Sequence, residues 1–189
     1  MEQRTLSQLF WQQALTGGLI LGIALFVWDL AGYWLDLPVS NPGVASFVQF
    51  VLLAGGIFWF GRKLREQRGP VAGFSYGQAF GFVMALMLCA GVIYGAGQYF
   101  LQVVIAPEYY EEVFEASLLG SSLDENLIEQ MINMREGIST IMRNPLVYLF
   151  SGIFTMVIYG GLVGLILCAF LKRPADPFAG DKNDYNPEV

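Results

Sequence analysis

The sequence predicts an all-α integral membrane protein, a four-transmembrane-helix bundle with an amphipathic helical cap between helices 3 and 4. Of its 189 residues, 55% are hydrophobic and only 14% are charged, and the mean hydropathy is +0.51. A soluble domain has a much higher share of charged residues, so this composition indicates a membrane protein. Four separate windows then approach or exceed the roughly 20 mostly apolar residues that a helix needs to cross a bilayer.

The four windows are predicted spans of a membrane domain that covers residues 1–173. They cover about 15–35, 44–60, 79–105 and 145–171. The first contains one charged residue, Asp29, and the second is the shortest. The third and fourth contain no charged residue and are long enough to cross with some tilt.

The basic residues predict how the bundle is oriented. Lys and Arg near the ends of spans are retained on the cytoplasmic side of a membrane. Only Arg135 and Arg143 fall on one side of the predicted bundle. The side that includes both termini has the others: Arg4, Arg62, Lys63, Arg65, Arg68, Lys172, Arg173 and Lys182. We therefore expect cytoplasmic N and C termini. Residues 174–189 form a tail whose Pro, Asp and Asn content is typical of disorder.

The outer acidic segment, residues 107–144, is predicted to form two amphipathic helices rather than a loose loop. Pro107 suits a first helical position, and apolar residues follow it at three-to-four spacing. Ser122 to Glu125 fits a capping box at the start of the second helix. An apolar stripe then continues to Asn144-Pro145, which ends that helix and begins the fourth span. For the role of this segment, a solvated acidic loop packed on its own bundle is a more ordinary interpretation than a dedicated partner site.

The sequence contains no catalytic, metal or cofactor signature. It has no histidine, which excludes His-ligated haem and the usual His-based zinc sites. Cys89 and Cys168 lie inside spans and are expected to be small buried hydrophobes. We expect no cofactor, no metal, no nucleic-acid partner and no enzymatic activity.

Small residues predict where the helices touch, because close backbone approach drives helix association in lipid. They occur in three predicted helices: Ala14, Gly18 and Gly22 on one face of the first; Gly73, Gly77 and Gly81 leading into the third, which also has Gly91 and Gly95; and Gly160 and Gly164 in the fourth. Contact within one chain is their usual meaning. A homo-oligomer or a membrane-protein partner bound through these glycine seams is the alternative, besides the lipid bilayer itself.

Asp29 calls for a functional explanation, because a carboxylate at mid-membrane costs about 2.5 to 3.5 kcal/mol on insertion scales. Polar residues on the other three helices lie at a similar depth, and Tyr94 shares a helix face with two of them. A polar ligand site open to the outside could be built from Asp29, Gln49, Gln98, Gln102 and Ser151. The competing interpretation places Asp29 near the membrane interface, with the glutamines bonding helices together.

Short motifs also resemble a known family. They are Phe74-Ser75-Tyr76-Gly77-Gln78-Ala79-Phe80 before a glycine-bearing span, Ile105-Ala106-Pro107-Glu108-Tyr109 before the acidic segment, and Lys172-Arg173 after the last span. Together they are similar to the bacterial family of unknown function DUF4199, over roughly Leu6 to Arg173. The resemblance implies a four-helix bundle in the bacterial inner (cytoplasmic) membrane. It implies no catalytic residues.

Two classes of function remain open from the sequence. The favoured one is a non-enzymatic accessory or scaffold component of a membrane assembly. The alternative is a small transporter or ligand-binding membrane protein that uses the polar site around Asp29. Many transporter sites lie in spans that are interrupted by Pro or by an unwound polar stretch. No predicted span is interrupted in this way, and this weighs against transport.

Overall fold

The computed structural model describes residues 6–120 and 124–176. Four long helices and a small helical cap make up the fold of this part of the chain. In chain order the α-helices are α1 (Leu6–Trp34), α2 (Leu37–Ser40), α3 (Pro42–Ala72), α4 (Tyr76–Tyr99), α5 (Pro107–Leu119), α6 (Glu125–Met142) and α7 (Pro145–Leu171). A π-helix, Phe100–Ile105, continues α4 directly and is called the π segment below.

Four of these helices are long and apolar enough to cross a membrane: α1, α3 as far as Gly69, α4 with the π segment, and α7. This confirms the predicted four-helix membrane fold with a helical cap. Two helices extend beyond the predicted spans, because hydropathy detects the apolar part of a helix rather than its ends. Helix α1 already begins at Leu6, and α3 continues through its basic residues, where Arg62 and Glu66 form an ion pair one turn apart.

Helix α4 is the centre of the bundle. It packs along both α1 and α7, whereas α3 closes the other side by contacting α1 and α7. In the most apolar 18-residue window of α4 and the π segment, 50% of the residues are buried, whereas in that of α3 only 17% are buried. Helix α3 therefore presents most of its surface outward, to the surrounding lipid in a membrane.

Glycines set the distance between α4 and its two neighbours. On α7, a Cβ added to Gly152 would overlap the Cα of Gly95 and lie 2.7 Å from its backbone nitrogen. On α1, a Cβ at Gly22 would lie 2.8 Å from the carbonyl oxygen of Ala90. These glycines make close contacts between helices of one chain, which is the usual role of such small residues.

The end of the bundle near the helix termini rich in Lys and Arg, called the basic end, is held by backbone hydrogen bonds. Phe74 and Arg173 form an isolated antiparallel bridge, in which each backbone nitrogen donates to the other residue's carbonyl oxygen at 2.8 Å. Ser75 then begins α4 with a capping box, in which its hydroxyl accepts from the Gln78 backbone and the Gln78 side chain accepts from the Ser75 backbone. The start of α4 is thereby fixed to the end of α7.

The opposite end carries the cap, which consists of α5 and α6, and is called the cap end. Helix α5 packs on the π segment and on α2, and α6 packs on α5 and α7. The predicted capping box at Ser122 lies outside the described residues, as does the tail beyond Asp176. The apolar stripe of α6 is only partly covered, since Leu127 is 48% exposed and Met134 67% exposed.

Candidate functional site

Asp29 of α1 lies against α4, not against open lipid. Its carboxylate accepts a hydrogen bond from Gln98 Nε2 and another from the Tyr94 hydroxyl. The two helices come close enough for this because α1 contacts α4 through glycines, and because Gly97 leaves room for the ring of Phe26. A carboxylate at this depth is tolerated where neighbouring groups donate to it.

The hydrogen bonds continue from Gln98 along α4 to α7. Gln102, in the π segment, donates from Nε2 to Gln98 Oε1 at 2.5 Å. The hydroxyl of Tyr148 on α7 lies 3.5 Å from Gln102 Oε1 and donates to it. The result is a chain of side chains, called the polar chain below, that runs from Tyr148 through Gln102 and Gln98 to Asp29.

Helix α3 joins the same group through Gln49. Its Nε2 donates to the Tyr94 hydroxyl at 3.0 Å, and Tyr94 in turn donates to Asp29. Four of the five residues predicted from depth, Asp29, Gln49, Gln98 and Gln102, therefore belong to one hydrogen-bonded cluster. Whether that cluster binds a ligand stays a prediction.

A cavity of about 660 Å³ lies beside the polar chain, between α4, α7 and the cap. Its wall on α4 and the π segment includes Tyr94, Gln98 and Gln102, and its wall on α7 includes Tyr148 and Ser151. Ser151, the fifth predicted residue, is exposed, so the cavity is accessible from outside the fold. Asp29 and Gln49 are behind the wall and contribute through Gln98 and Tyr94.

The cap supplies the remaining, largely apolar part of the lining. Helix α5 contributes Tyr110, Val113, Phe114 and Ser117, and α6 contributes Met131 and Met134. Burial, and after it the negative charge of Asp29, raises the pKa of the Tyr110 phenol.

A separate contact attaches the cap to the turn between α1 and α2. Tyr109 donates from its hydroxyl to Asp36 Oδ1 at 2.9 Å, and its ring meets that of Tyr33 edge to face, with centroids 5.0 Å apart. Asp36 has a left-handed backbone, with φ of 51°, at the point where the chain turns out of α1. Burial and the bond to Asp36 raise the pKa of Tyr109 to about 12.

Two features of the site were missed by the sequence reasoning. The π segment gave no signal, although π turns are frequent at functional sites. The tyrosines of the lining count as apolar in a hydropathy window, so Tyr110 and Tyr148 were passed over. A usable signal was present on α7, where Tyr148, Ser151 and Thr155 recur at helical spacing and all line the cavity.

The described side chains give no indication of a metal centre, since no three His, Cys, Asp or Glu among them lie close enough together to hold an ion. The chemistry available is hydrogen bonding from amides, hydroxyls and phenols, with one carboxylate behind them. Such an arrangement can orient a bound molecule.

Comparisons with known proteins place the chain in a family. The family model described as "Protein of unknown function (DUF4199)" matches residues 16–173. No curated protein and no solved structure matches the chain. The family match covers most of the sequence and confirms the resemblance seen in its short motifs. The chain belongs to the DUF4199 family of proteins of unknown function.

Proposed function

We propose that this membrane protein is non-enzymatic and binds a small amphipathic molecule in the cavity between α4, α7 and the cap. The observation that carries the proposal is the cavity itself, whose volume of about 660 Å³ lies beside a continuous polar chain. Small-molecule sites in proteins have volumes of about 300 to 1,000 Å³ and are mostly apolar with a few placed polar groups.

The lining divides into two parts that suit the two parts of such a ligand. Gln98, Gln102 and Ser151 offer hydrogen bonds on the bundle side. Val113 and Met131 offer apolar contact on the cap side. A molecule with one polar group and an apolar body would satisfy both surfaces.

Binding is favoured over transport by the packing beside the cavity. Gly91 and Gly95 of α4 are in direct contact with α7 around Gly152, and Gly160 and Gly164 continue that contact toward the basic end. Around Gly152 the seam is closed by backbone atoms, which do not separate without moving a whole helix.

The test is to fill the cavity from α7. Ser151→Phe places a ring in the cavity, whereas Ser46→Phe makes the same change at an exposed position of α3 away from it. The protein is purified in nanodiscs made from its native membrane, and the small molecules retained are identified by native mass spectrometry. A molecule held by the wild type and by Ser46→Phe, but lost from Ser151→Phe, supports the proposal. Equal retention by all three, or by none, refutes it.

An accessory or scaffold role is the second candidate, and a specific observation favours it. A Cβ added to Gly77 or Gly81, one turn apart on α4, would meet nothing within 4 Å. Another helix, from a membrane-protein partner or a second copy, could approach this part of α4 closely. A stoichiometric partner recovered in mild detergent from the wild type, and lost from a Gly77→Leu, Gly81→Leu variant, would support this role.

We also propose that both termini are cytoplasmic and that the cap lies on the outside of the bacterial inner membrane. The eight-to-two bias of basic residues supports this orientation. Reporter fusions after Arg68 and after Arg173 should report cytoplasm, and one at Gly120 should report the outside. A cytoplasmic signal at Gly120 would reverse the orientation.

A further inference from the structure

We infer that the ligand of the cavity is an organic cation, an ammonium group attached to an apolar body. This inference rests on the proposed binding function and specifies its ligand. Three independent features of the site support it: a carboxylate without a countercharge, the direction of the hydrogen bonds that lead to it, and the aromatic rings of the cavity wall.

Asp29 has donors but no countercharge in residues 6–120 and 124–176. The groups that donate to it, Gln98 Nε2 and the Tyr94 hydroxyl, are both neutral, and it forms no ion pair with a described Lys or Arg. Neutral donors stabilise a carboxylate but leave its net charge in place. A carboxylate in a membrane span usually pairs with another charge or faces a pathway for a ligand or ion. A cation in the adjacent cavity would provide the missing charge.

The polar chain carries the negative end of its dipoles away from Asp29. Every donor in it points toward Asp29: Tyr148 donates to Gln102, Gln102 to Gln98, and Gln98 to the carboxylate. The amide oxygens of Gln98 and Gln102 therefore face away from Asp29; each accepts one bond of the polar chain and keeps a second lone pair, and both residues line the cavity. Aligned hydrogen bonds polarise one another, so these oxygens become better acceptors. Oxygens of this kind favour a ligand that donates.

Aromatic rings form much of the rest of the wall. Tyr94, Tyr110, Tyr148 and Phe114 all line the cavity. The face of an aromatic ring attracts a cation, and sites formed by several rings are used to bind quaternary ammonium groups. The lining residues given by the structure include no Lys or Arg that would repel a cation. An anionic ligand would find no positive group among them.

The experiment uses three probes of similar size and different charge: 4-phenylbutylammonium, 4-phenylbutan-1-ol and 4-phenylbutanoate. Binding to the full-length protein in nanodiscs is measured by saturation-transfer NMR titration, with empty nanodiscs to subtract partition into lipid. Four proteins are compared: the wild type, Asp29→Asn, Ser151→Phe and the control Ser46→Phe. Folding of each is checked by gel filtration and thermal unfolding.

We expect the wild type and Ser46→Phe to bind the ammonium about tenfold more tightly than the alcohol, and the carboxylate least; tenfold corresponds to about 1.4 kcal/mol. Asp29→Asn should remove most of that preference while the affinity for the alcohol changes little. Ser151→Phe should lose all three probes. If Asp29→Asn does not fold, the order of the three probes on the wild type still decides the question.

The two proposals fail in different ways. Binding that Ser151→Phe abolishes, but with equal affinities for the three probes or with the carboxylate preferred, overturns the cation inference and leaves the binding function in place. A preference for the ammonium that persists unchanged in a folded Asp29→Asn also overturns the inference. Absence of any binding sensitive to Ser151→Phe counts against the binding function, and the inference falls with it.

Discussion

The seam between α4 and α7 and the cap of α5 and α6 are held to the bundle in different ways. Along the seam, Gly91, Gly95 and Gly152 bring the backbones of two helices into direct contact, so nothing fits between them. At the cap, contact is made by side chains such as Tyr109, and several apolar residues of α6 remain exposed. One side of α4 thus packs closely against α7, whereas its end lies beside a cavity of about 660 Å³.

The difference shows what determines the position of a cavity in a bundle of this size. Helices that meet through glycines exclude ligands, because their separation is set by backbone atoms. Where α4 and the π segment carry Tyr94, Gln98 and Gln102 instead, large polar side chains form the wall, and space remains beside them. The comparison predicts that substitutions in the seam cost more stability than substitutions in the polar chain, and those in turn more than substitutions at the cap.

The largest effect is expected at Gly152. In Gly152→Val the new side chain would overlap the backbone of Gly95, and we expect a loss of about 3 kcal/mol of stability, measured by unfolding in mixed micelles with rising SDS. Gly55→Val is the matched control, since a Cβ there would meet nothing within 4 Å. Equal losses in the two variants would show that α4 and α7 are not closely packed at Gly152.

An intermediate effect is expected in the polar chain. Gln98→Leu removes one donor to Asp29 and leaves the carboxylate underpaired, which should cost about 1 to 3 kcal/mol. Adding Asp29→Leu to Gln98→Leu removes the group that lost its partner. The double variant should therefore be more stable than Gln98→Leu alone, in the same unfolding measurement. A double variant that is less stable would mean that the two residues stabilise the bundle independently.

The smallest effect is expected at the cap. Tyr109→Phe removes the hydrogen bond to Asp36 and should cost about 1 kcal/mol or less. The loss should be local and should appear as faster amide exchange in α5, with α4 and α7 unchanged. Tyr159→Phe, at an exposed position of α7, is the control. Faster exchange throughout the bundle would show that the cap and the seam unfold together.

The fold was largely predictable because hydropathy and helical periodicity report directly on burial in lipid. The predicted segment 107–144 corresponds to α5 and α6, and Asn144 begins α7, its side chain accepting from the backbone of Leu146. The ends of α1 and α3 were not predictable in the same way, because polar residues such as Gln12 and Arg65 continue a helix beyond the apolar window, where the hydropathy has already fallen.

The site was predictable only in its polar half. Depth along each helix brought together Asp29, Gln49, Gln98 and Gln102, because antiparallel helices of equal rise place residues at equal depth side by side. The cavity could not be inferred in this way. It depends on where the cap lies over α7, and so on contacts of Tyr110 and Phe114 between residues far apart in the sequence.

The π segment takes up one extra residue where the chain leaves α4. In an α-helix each residue advances about 100° around the axis, whereas a π turn takes up one residue more before its hydrogen bond closes. The bond from the Ala106 N–H to the Leu101 carbonyl, at 3.0 Å, closes such a turn just before Pro107 begins α5. Deleting one residue from Phe100–Ile105 would close the same turn as an ordinary α turn, and Tyr110 and Phe114 would keep their direction relative to Gln98, because the π turn had taken up the extra residue. The segment is therefore a place where the chain can gain or lose one residue without turning the cap, and related chains that differ by one residue here would present the same face of the cap to the bundle.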